Sequence, residues 1–508
     1  MPTDLTLSVI VFAPLAGGLV ILGMPLRTDL ERFRVRTMAL FATVVSFVVA
    51  VFDLLGQVGN VGQGSIPDPV IDAPWFRGYF FQLDYHLGTD GLNLLLLFAA
   101  TAVFMALVLA SWRQRDHYRT HFFLLLVCEV GVLGALATQD LGLFIIFFGA
   151  PALPLALLVA LHGGGRARQA ARRLLLLQSL SLAALIAGTL LLLLRTGDTS
   201  LNFTTLTTVK DLSGGPGLVV ATLFLVAFLL RMGAFPFHRW FLEGIAEAPT
   251  PVGMLLAVSS LPIGAYGLVR VLLAMEPDGA LALLTPILVL ALLSLFWGAL
   301  GARAATELRR VGAHSLLAVT GLVLLGAALV SETSISGSLY MVFAYLFAAP
   351  LLLLVLGAIC ERTQLLSLGP LRGAAFQSHR LLLFFTLAAA TLTGVPLLVG
   401  FPALFEIVAS GLATRRLFTA FAVLGLLVLT SAWWRLGHRV FSAGPEGSEP
   451  PALSDAQGSE LYSGWVLGAA VILFGVFAGY FLPYTIQGTS LVSARIATVA
   501  PATHPKAK

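Results

Sequence analysis

The stretch that decides the fold runs from Leu218 to Arg270, LVVATLFLVAFLLRMGAFPFHRWFLEGIAEAPTPVGMLLAVSSLPIGAYGLVR. Two apolar runs, Leu218–Met232 and Pro251–Ala274, flank a segment that carries Pro236, His238, Arg239, Glu243, Glu247 and Pro249. The first run falls short of the roughly 20 apolar residues that a spanning helix needs, so it has to continue, broken, into the polar segment. Pro236 removes a backbone donor and cannot sit inside an unbroken helix without cost. Non-helical backbone at membrane depth is tolerated only where protein or water satisfies it, and discontinuous helices of this kind are common at transport sites. The competing reading is an interfacial loop anchored by the aromatic residues Phe237, Trp240 and Phe241.

The same pattern extends along the chain. Of 508 residues, 58% are hydrophobic and 11% charged, and the mean hydropathy is +0.94. A water-soluble globule of this size needs more polar surface than that, so lipid is the main solvent. The expected fold is all-α, a polytopic bundle of about 14 transmembrane helices. Six spans come first: Leu5–Met24, Thr37–Leu55, Gly91–Ser111, His121–Ala137, Leu141–Leu161 and Leu174–Leu194. The broken span and Pro251–Ala274 follow, then Ala280–Leu300, Val311–Val330, Leu339–Ala358, Leu381–Val399, Leu417–Trp434 and Leu461–Leu482. The first run has no basic region before it and reads as a helix, not a signal peptide.

The net charge of +5 sits in the connections and does not form a nucleic-acid face. Arg27, Arg32, Arg34 and Arg36 follow the first span, Arg113, Arg115 and Arg119 the third, and Arg166, Arg168, Arg172 and Arg173 the fifth. Arg303, Arg309 and Arg310, then Arg362, Arg372 and Arg380, then Arg435 and Arg439 continue the alternation, with Arg415 and Arg416 against it. By the positive-inside rule both termini face outward. Cys128 and Cys360 lie in different spans without metal or cluster spacing, and no phosphate-binding loop appears. The longer breaks are Gly56–Asp90 and Gly444–Glu460, and the tail from Ala497 reads as disordered.

Within the spans, ionisable residues mark function by default. Glu129 lies inside the fourth span, either as a proton-relay or ion-pairing carboxylate or as a neutral acid hydrogen-bonded to a neighbouring helix. Arg231, His238, Glu243 and Glu247 belong to the broken segment. Glu406 follows Pro402, and His314 follows Glu307, Arg309 and Arg310. His162 reads as a helix-end residue. The lysines are Lys210, Lys506 and Lys508, all outside the spans.

FPFHRWFLEGIAEAPT, at Phe235–Thr250, resembles the FPFHTWLPDAHVEAPT block of the antiporter-like membrane subunits of respiratory complex I, the M-type subunit of NADH-quinone oxidoreductase in particular. YHLGTDGLNLLL at Tyr85–Leu96, TQDLGLFIIFFGAPALPLALL at Thr138–Leu158, ELRRVGAHS at Glu307–Ser315, GVPLLVGFPALFE at Gly394–Glu406 and SAWWRLGHRVF at Ser431–Phe441 resemble further blocks in the family's order. The resemblance implies a fourteen-helix bundle with two inverted five-helix repeats, at residues 112–274 and 280–441, each with one broken helix. Residues 1–111 precede them and 442–508 follow, and the second break is expected near Gly394–Pro402. It also implies other membrane-arm subunits as partners, no redox cofactor or catalytic centre in this chain, and a bacterial inner-membrane location.

The family's line of titratable residues is interrupted here. Its fifth-helix glutamate aligns with Gly149 and the lysine partner with Arg231, which cannot in practice release its proton. The next lysine aligns with Pro262, two histidines with Val319 and Tyr345, and the twelfth-helix glutamate with Leu404. Glu406 is two residues on, about 200° around a helix, and is expected to point elsewhere. The reading is a membrane-arm subunit with an impaired or absent proton channel. A cation/proton antiporter or small-solute transporter component, or a subunit of a hydrogenase-like or carbon-uptake complex, are the alternatives.

Overall fold

The computed structural model describes residues 5–25, 29–58, 70–78, 81–208, 215–365, 367–442 and 453–499. The helices of the first half are α1 (Thr6–Gly23), α2 (Asp29–Val58), α3 (Leu94–Ala110), α4 (Tyr118–Ala137), α5 (Leu141–Gly149), α6 (Ala152–His162), α7 (Ala167–Thr196), the short α8 (Phe203–Thr208), α9 (Gly215–Met232), α10 (Arg239–Glu247) and α11 (Thr250–Gly267). Then come α12 (Pro277–Ala304), α13 (Leu308–Ala328), α14 (Glu332–Thr363), α15 (His379–Leu392), α16 (Gly400–Thr414), α17 (Arg416–Phe441), α18 (Ser459–Val476) and α19 (Ala478–Val499). Among the described residues 13 helical stretches are long and apolar enough to cross a membrane, and the shorter apolar pair α15 and α16 supplies one more, broken, span.

Helix is forced on these runs because hydrocarbon offers no partner for a backbone amide, and only intra-segment bonds remain. Burial then sorts them. Every residue of α14 from Ser334 to Cys360 is buried, as is every residue of α11 from Val252 to Gly267. These two are apolar all round and form the axis. Helices α2, α7, α12 and α17 bury about a third to two fifths of their apolar stretches, leaving the remainder for lipid or neighbouring chains.

Both expected breaks are present. The first lies between Met232 and Arg239, the second between Leu392 and Gly400. A further interruption, at Ala150–Pro151, divides α5 from α6 within one span, again where a proline withholds its N–H.

Three expectations need correction. The break Gly56–Asp90 is not all loop: β1 (Val70–Arg77) and β2 (Gln82–Gly88) form an antiparallel hairpin with an irregularity between Pro74 and Phe76. Its Pro and Asp content hid the strands, since such residues are depleted in sheets. The last expected span, Leu461–Leu482, is two helices, α18 and α19, divided at Phe477, and α19 continues to Val499 where a disordered tail was expected to start. Finally, Trp240 and Phe241 are fully buried and are not interfacial anchors. The expected loop at Gly444–Glu460 lies partly outside the described residues.

Candidate functional site

Two polar centres surround the first break. The deeper one is Arg231, at the end of α9, with 1% of its surface exposed. It donates from Nη1 to Oε1 of Gln178 on α7 at 2.7 Å and from Nη2 to the Ser259 carbonyl on α11 at 3.0 Å. Its guanidinium lies 5.0 Å from the centre of the Phe148 ring. A cation over an aromatic face is stabilised by the ring quadrupole, more so when desolvated. None of the ion pairs among the described residues includes Arg231.

The neighbouring positions explain that isolation. A Cβ on Gly149 would stand 2.9 Å from Cδ2 of Leu182 on α7, so a longer side chain there would have to displace the tip of that leucine. Pro262 is buried within α11. A Cβ on Gly264, two residues on, would collide with the Met232 side chain, so α9 and α11 are in close contact. Val319 is fully buried on α13, and the fully buried Tyr345 on α14 has a hydroxyl without a hydrogen-bond partner among the described residues. Leu404 packs onto Gly394 at the second break.

The second centre is a cavity of about 560 Å³ between α7, α10, α12 and α13, where His238, Glu243, Glu247 and His314 meet. Arg173 of α7 and Arg239 both hold the Glu243 carboxylate, the latter at 2.8 Å from Nε. Oε2 of Glu247 accepts the backbone N–H of Arg166 at 3.1 Å. The His238 ring stacks on Phe235, centroids 5.4 Å apart, and lies 5.3 Å from Trp297. His314 Nδ1 is 2.8 Å from the Arg310 carbonyl, so that nitrogen carries the proton. Trp240 closes the break by donating from Nε1 to the Leu230 carbonyl at 3.1 Å, an acceptor at the end of α9 that also takes the Gly233 N–H at 3.3 Å.

The other two sequence candidates stand apart. Glu129 is fully buried on α4, and neither carboxyl oxygen has a hydrogen-bond partner among the described residues. Neither the ion pair nor the interhelical hydrogen bond expected for it is therefore formed. Glu406 is half-buried, with its Cβ against Gly337 of α14, and so points into the bundle, while Leu404 turns to Gly394.

Sequence reasoning missed Gln178, Ser259 and Phe148, the partners of Arg231. An amide inside the apolar run of α7 was the available signal. It also missed a polar cluster at the opposite end of the bundle, where Arg270 pairs with Asp90, donates to Oε1 of Gln139 and lies 5.2 Å from the Phe203 ring centre. A cavity of about 550 Å³ opens there. Nearby, the Asp140 carboxylate caps α5 by accepting the Gly142 and Leu143 N–H groups at 2.8 and 3.0 Å. Burial, with some help from the Asp84 charge, pushes its carboxyl up to about 6 despite those donors.

Residues 138–430 match the family described as NADH:quinone oxidoreductase/Mrp antiporter, transmembrane. NAD(P)H-quinone oxidoreductase chain 4 of a Picosynechococcus species is 31% identical over 319 residues, 63% of this chain and 60% of that protein. NADH-quinone oxidoreductase subunit M of Rhodobacter capsulatus is 26% identical over 411 residues, covering 78% of each. A chain of respiratory complex I from Thermus thermophilus superposes with a TM-score of 0.86 at 23% identity, over 98% of this chain and 100% of that one. A chain of the Mrp complex from a Dietzia species does so with a TM-score of 0.79 at 18% identity, over 99% and 98%. With more than half of its length matched by the family model, this chain belongs to the NADH:quinone oxidoreductase/Mrp antiporter transmembrane family.

Proposed function

We propose that the chain is a membrane-arm subunit of a complex I-like NADH-quinone oxidoreductase in which the proton channel is impaired, so that it acts mainly as a packed structural arm beside other membrane-arm subunits. The observation that carries this reading is the state of Arg231. It is held by an amide, a backbone carbonyl and an aromatic ring, and no carboxylate pairs with it among the described residues. An arginine so placed keeps its proton at any physiological pH and cannot cycle as a lysine can. The chain carries no redox cofactor of its own in this reading, and electron transfer belongs to the partner subunits. It resides in a bacterial inner membrane with both termini outside, which reporter fusions at either end would check.

Proton uptake per electron pair by the assembled complex tests the proposal. Glu129→Gln and Arg231→Met, each in complexes shown to assemble fully, should leave the ratio unchanged. A large fall with either variant would sink the structural-arm reading. A cation/proton antiporter component is the second reading, favoured by the likeness to the Mrp chain. Purification from native membranes separates the two: company with a quinone-reducing complex supports the subunit, and cation transport by the chain alone or with few partners supports the antiporter.

A further inference from the structure

The cavity beside the first break is lined on one side by exposed residues. Arg239 starts α10 with 73% of its side chain exposed. Its neighbour across the cavity is Trp297 of α12, 52% exposed, and the adjoining faces of α7 and α12 expose Leu176, Leu180 and Leu293. These are faces of spanning helices. The far end of α10 is tied to the arginine-rich end of the bundle, where the Glu247 carbonyl accepts the Gly164 N–H at 3.0 Å. At 1.5 Å per residue Arg239 lies roughly 12 Å along α10 from that end.

That distance has a defined meaning here. Helices α7 and α12 contain 30 and 28 residues. At 1.5 Å per residue they are roughly 42–45 Å long, against a hydrocarbon core of roughly 30 Å, so both overhang it. The cavity therefore falls near the boundary between headgroups and acyl chains, the level at which tryptophan concentrates. Charge is out of balance there. Arg166, Arg173 and Arg239 face the two carboxylates of Glu243 and Glu247, and Arg310 pairs with Glu307, so one positive charge is in excess. The buried Nδ1 of His238 has no hydrogen-bond partner among the described residues. Arg239 shares the Glu243 carboxylate with Arg173, so the pair keeps capacity for a further anion, and an exposed guanidinium at this level is costly without one.

We propose that this cavity binds the phosphate of a membrane phospholipid, with an acidic lipid preferred. Arg239 and Arg173 face the phosphate, Arg166 guards the rim, and the acyl chains run along Trp297, Leu180 and Leu293. An arginine fork matches a phosphate in both charge and geometry. The site does not depend on whether the chain conducts protons, so it stands or falls separately from the function proposed above.

The test uses the full-length chain, with the subunits that purify alongside it, in phosphatidylcholine nanodiscs doped with a photoactivatable phosphatidylglycerol or with the corresponding diacylglycerol, which lacks the phosphate. Crosslinks mapped by mass spectrometry should concentrate on α10 and α12 between Arg239 and Trp297 for phosphatidylglycerol only. Arg239→Gln should lower that labelling roughly fivefold, the effect of one charge near an anionic lipid, and Arg239→Lys should restore most of it. Equal labelling by diacylglycerol in the unmodified protein overturns the proposal and requires no variant. So does labelling that Arg239→Gln leaves unchanged, or an acidic side chain of a neighbouring subunit seated on Arg239 in the assembled complex.

Discussion

Arg231 carries the most consequence of any single side chain in the bundle, because it is a buried charge that no carboxylate pairs with among the described residues. Removing it as Arg231→Ala leaves the Gln178 amide and the Ser259 carbonyl without their donors and opens a cavity under Phe148. The expected loss is roughly 2 to 5 kcal/mol, measured as the unfolding midpoint in detergent. Replacing charge and partner together, Arg231→Met with Gln178→Leu, should cost much less, since an apolar pair of similar volume needs no satisfaction. Asp140 offers a milder case. Asp140→Ala removes the cap of α5 and should cost about 1 kcal/mol by the same measurement, whereas Asp140→Asn should retain most of the stability. Glu129, with neither partner, was legible in the sequence as a buried carboxylate. Its isolation was not, because nothing in the spacing of α4 tells which neighbours face it.

Among the elements, the pairing of α12 with α13 depends on glycine. A Cβ on Gly298 would stand 2.4 Å from the Ala318 nitrogen and 2.6 Å from the His314 carbonyl oxygen, and one on Gly321 would stand 2.5 Å from the Ala291 oxygen. These obstacles are backbone and cannot rotate away. Gly298→Ala and Gly321→Ala should each destabilise by roughly 1 to 3 kcal/mol, read as a lower unfolding midpoint, because the helices must separate along their contact. The break between α9 and α10 belongs to the same scale. Its location follows from Pro236 and the polar residues around it. Its closure by the Trp240 indole does not, since that contact joins residues ten apart through a turn whose course no periodicity describes. Trp240→Phe keeps the bulk and removes one of the two donors to the Leu230 carbonyl, which the Gly233 N–H still reaches, and should cost about 1 kcal/mol by the same measurement.

For the molecule as a whole, burial ranks the helices. In hydrogen exchange followed by mass spectrometry, α14 and α11 should be the slowest segments and α2 and α17 faster, because the first two are enclosed on every side. Faster exchange in α14 than in α17 would contradict the central position assigned to it. By itself the sequence determined that the chain is a lipid-embedded helical bundle, roughly where most of its spans lie, and that the span at Pro236 is broken. The helices and the break at Pro236 follow from local composition, since hydrocarbon leaves a backbone no alternative to helix and Pro236 stands among polar residues; the second break came from the family resemblance, and Pro14, Pro262, Pro286 and Pro350 lie inside unbroken helices. Which polar groups meet was decided only by the tertiary structure. His238, Glu243, Glu247 and His314 come together from α10 and α13, Arg231 is given to Gln178, Ser259 and Phe148, and Glu129 has no hydrogen-bond partner among the described residues. Each of those outcomes depends on the rotation and separation of helices far apart in the chain, and in these nearly uniformly apolar helices no stripe records which face turns inward.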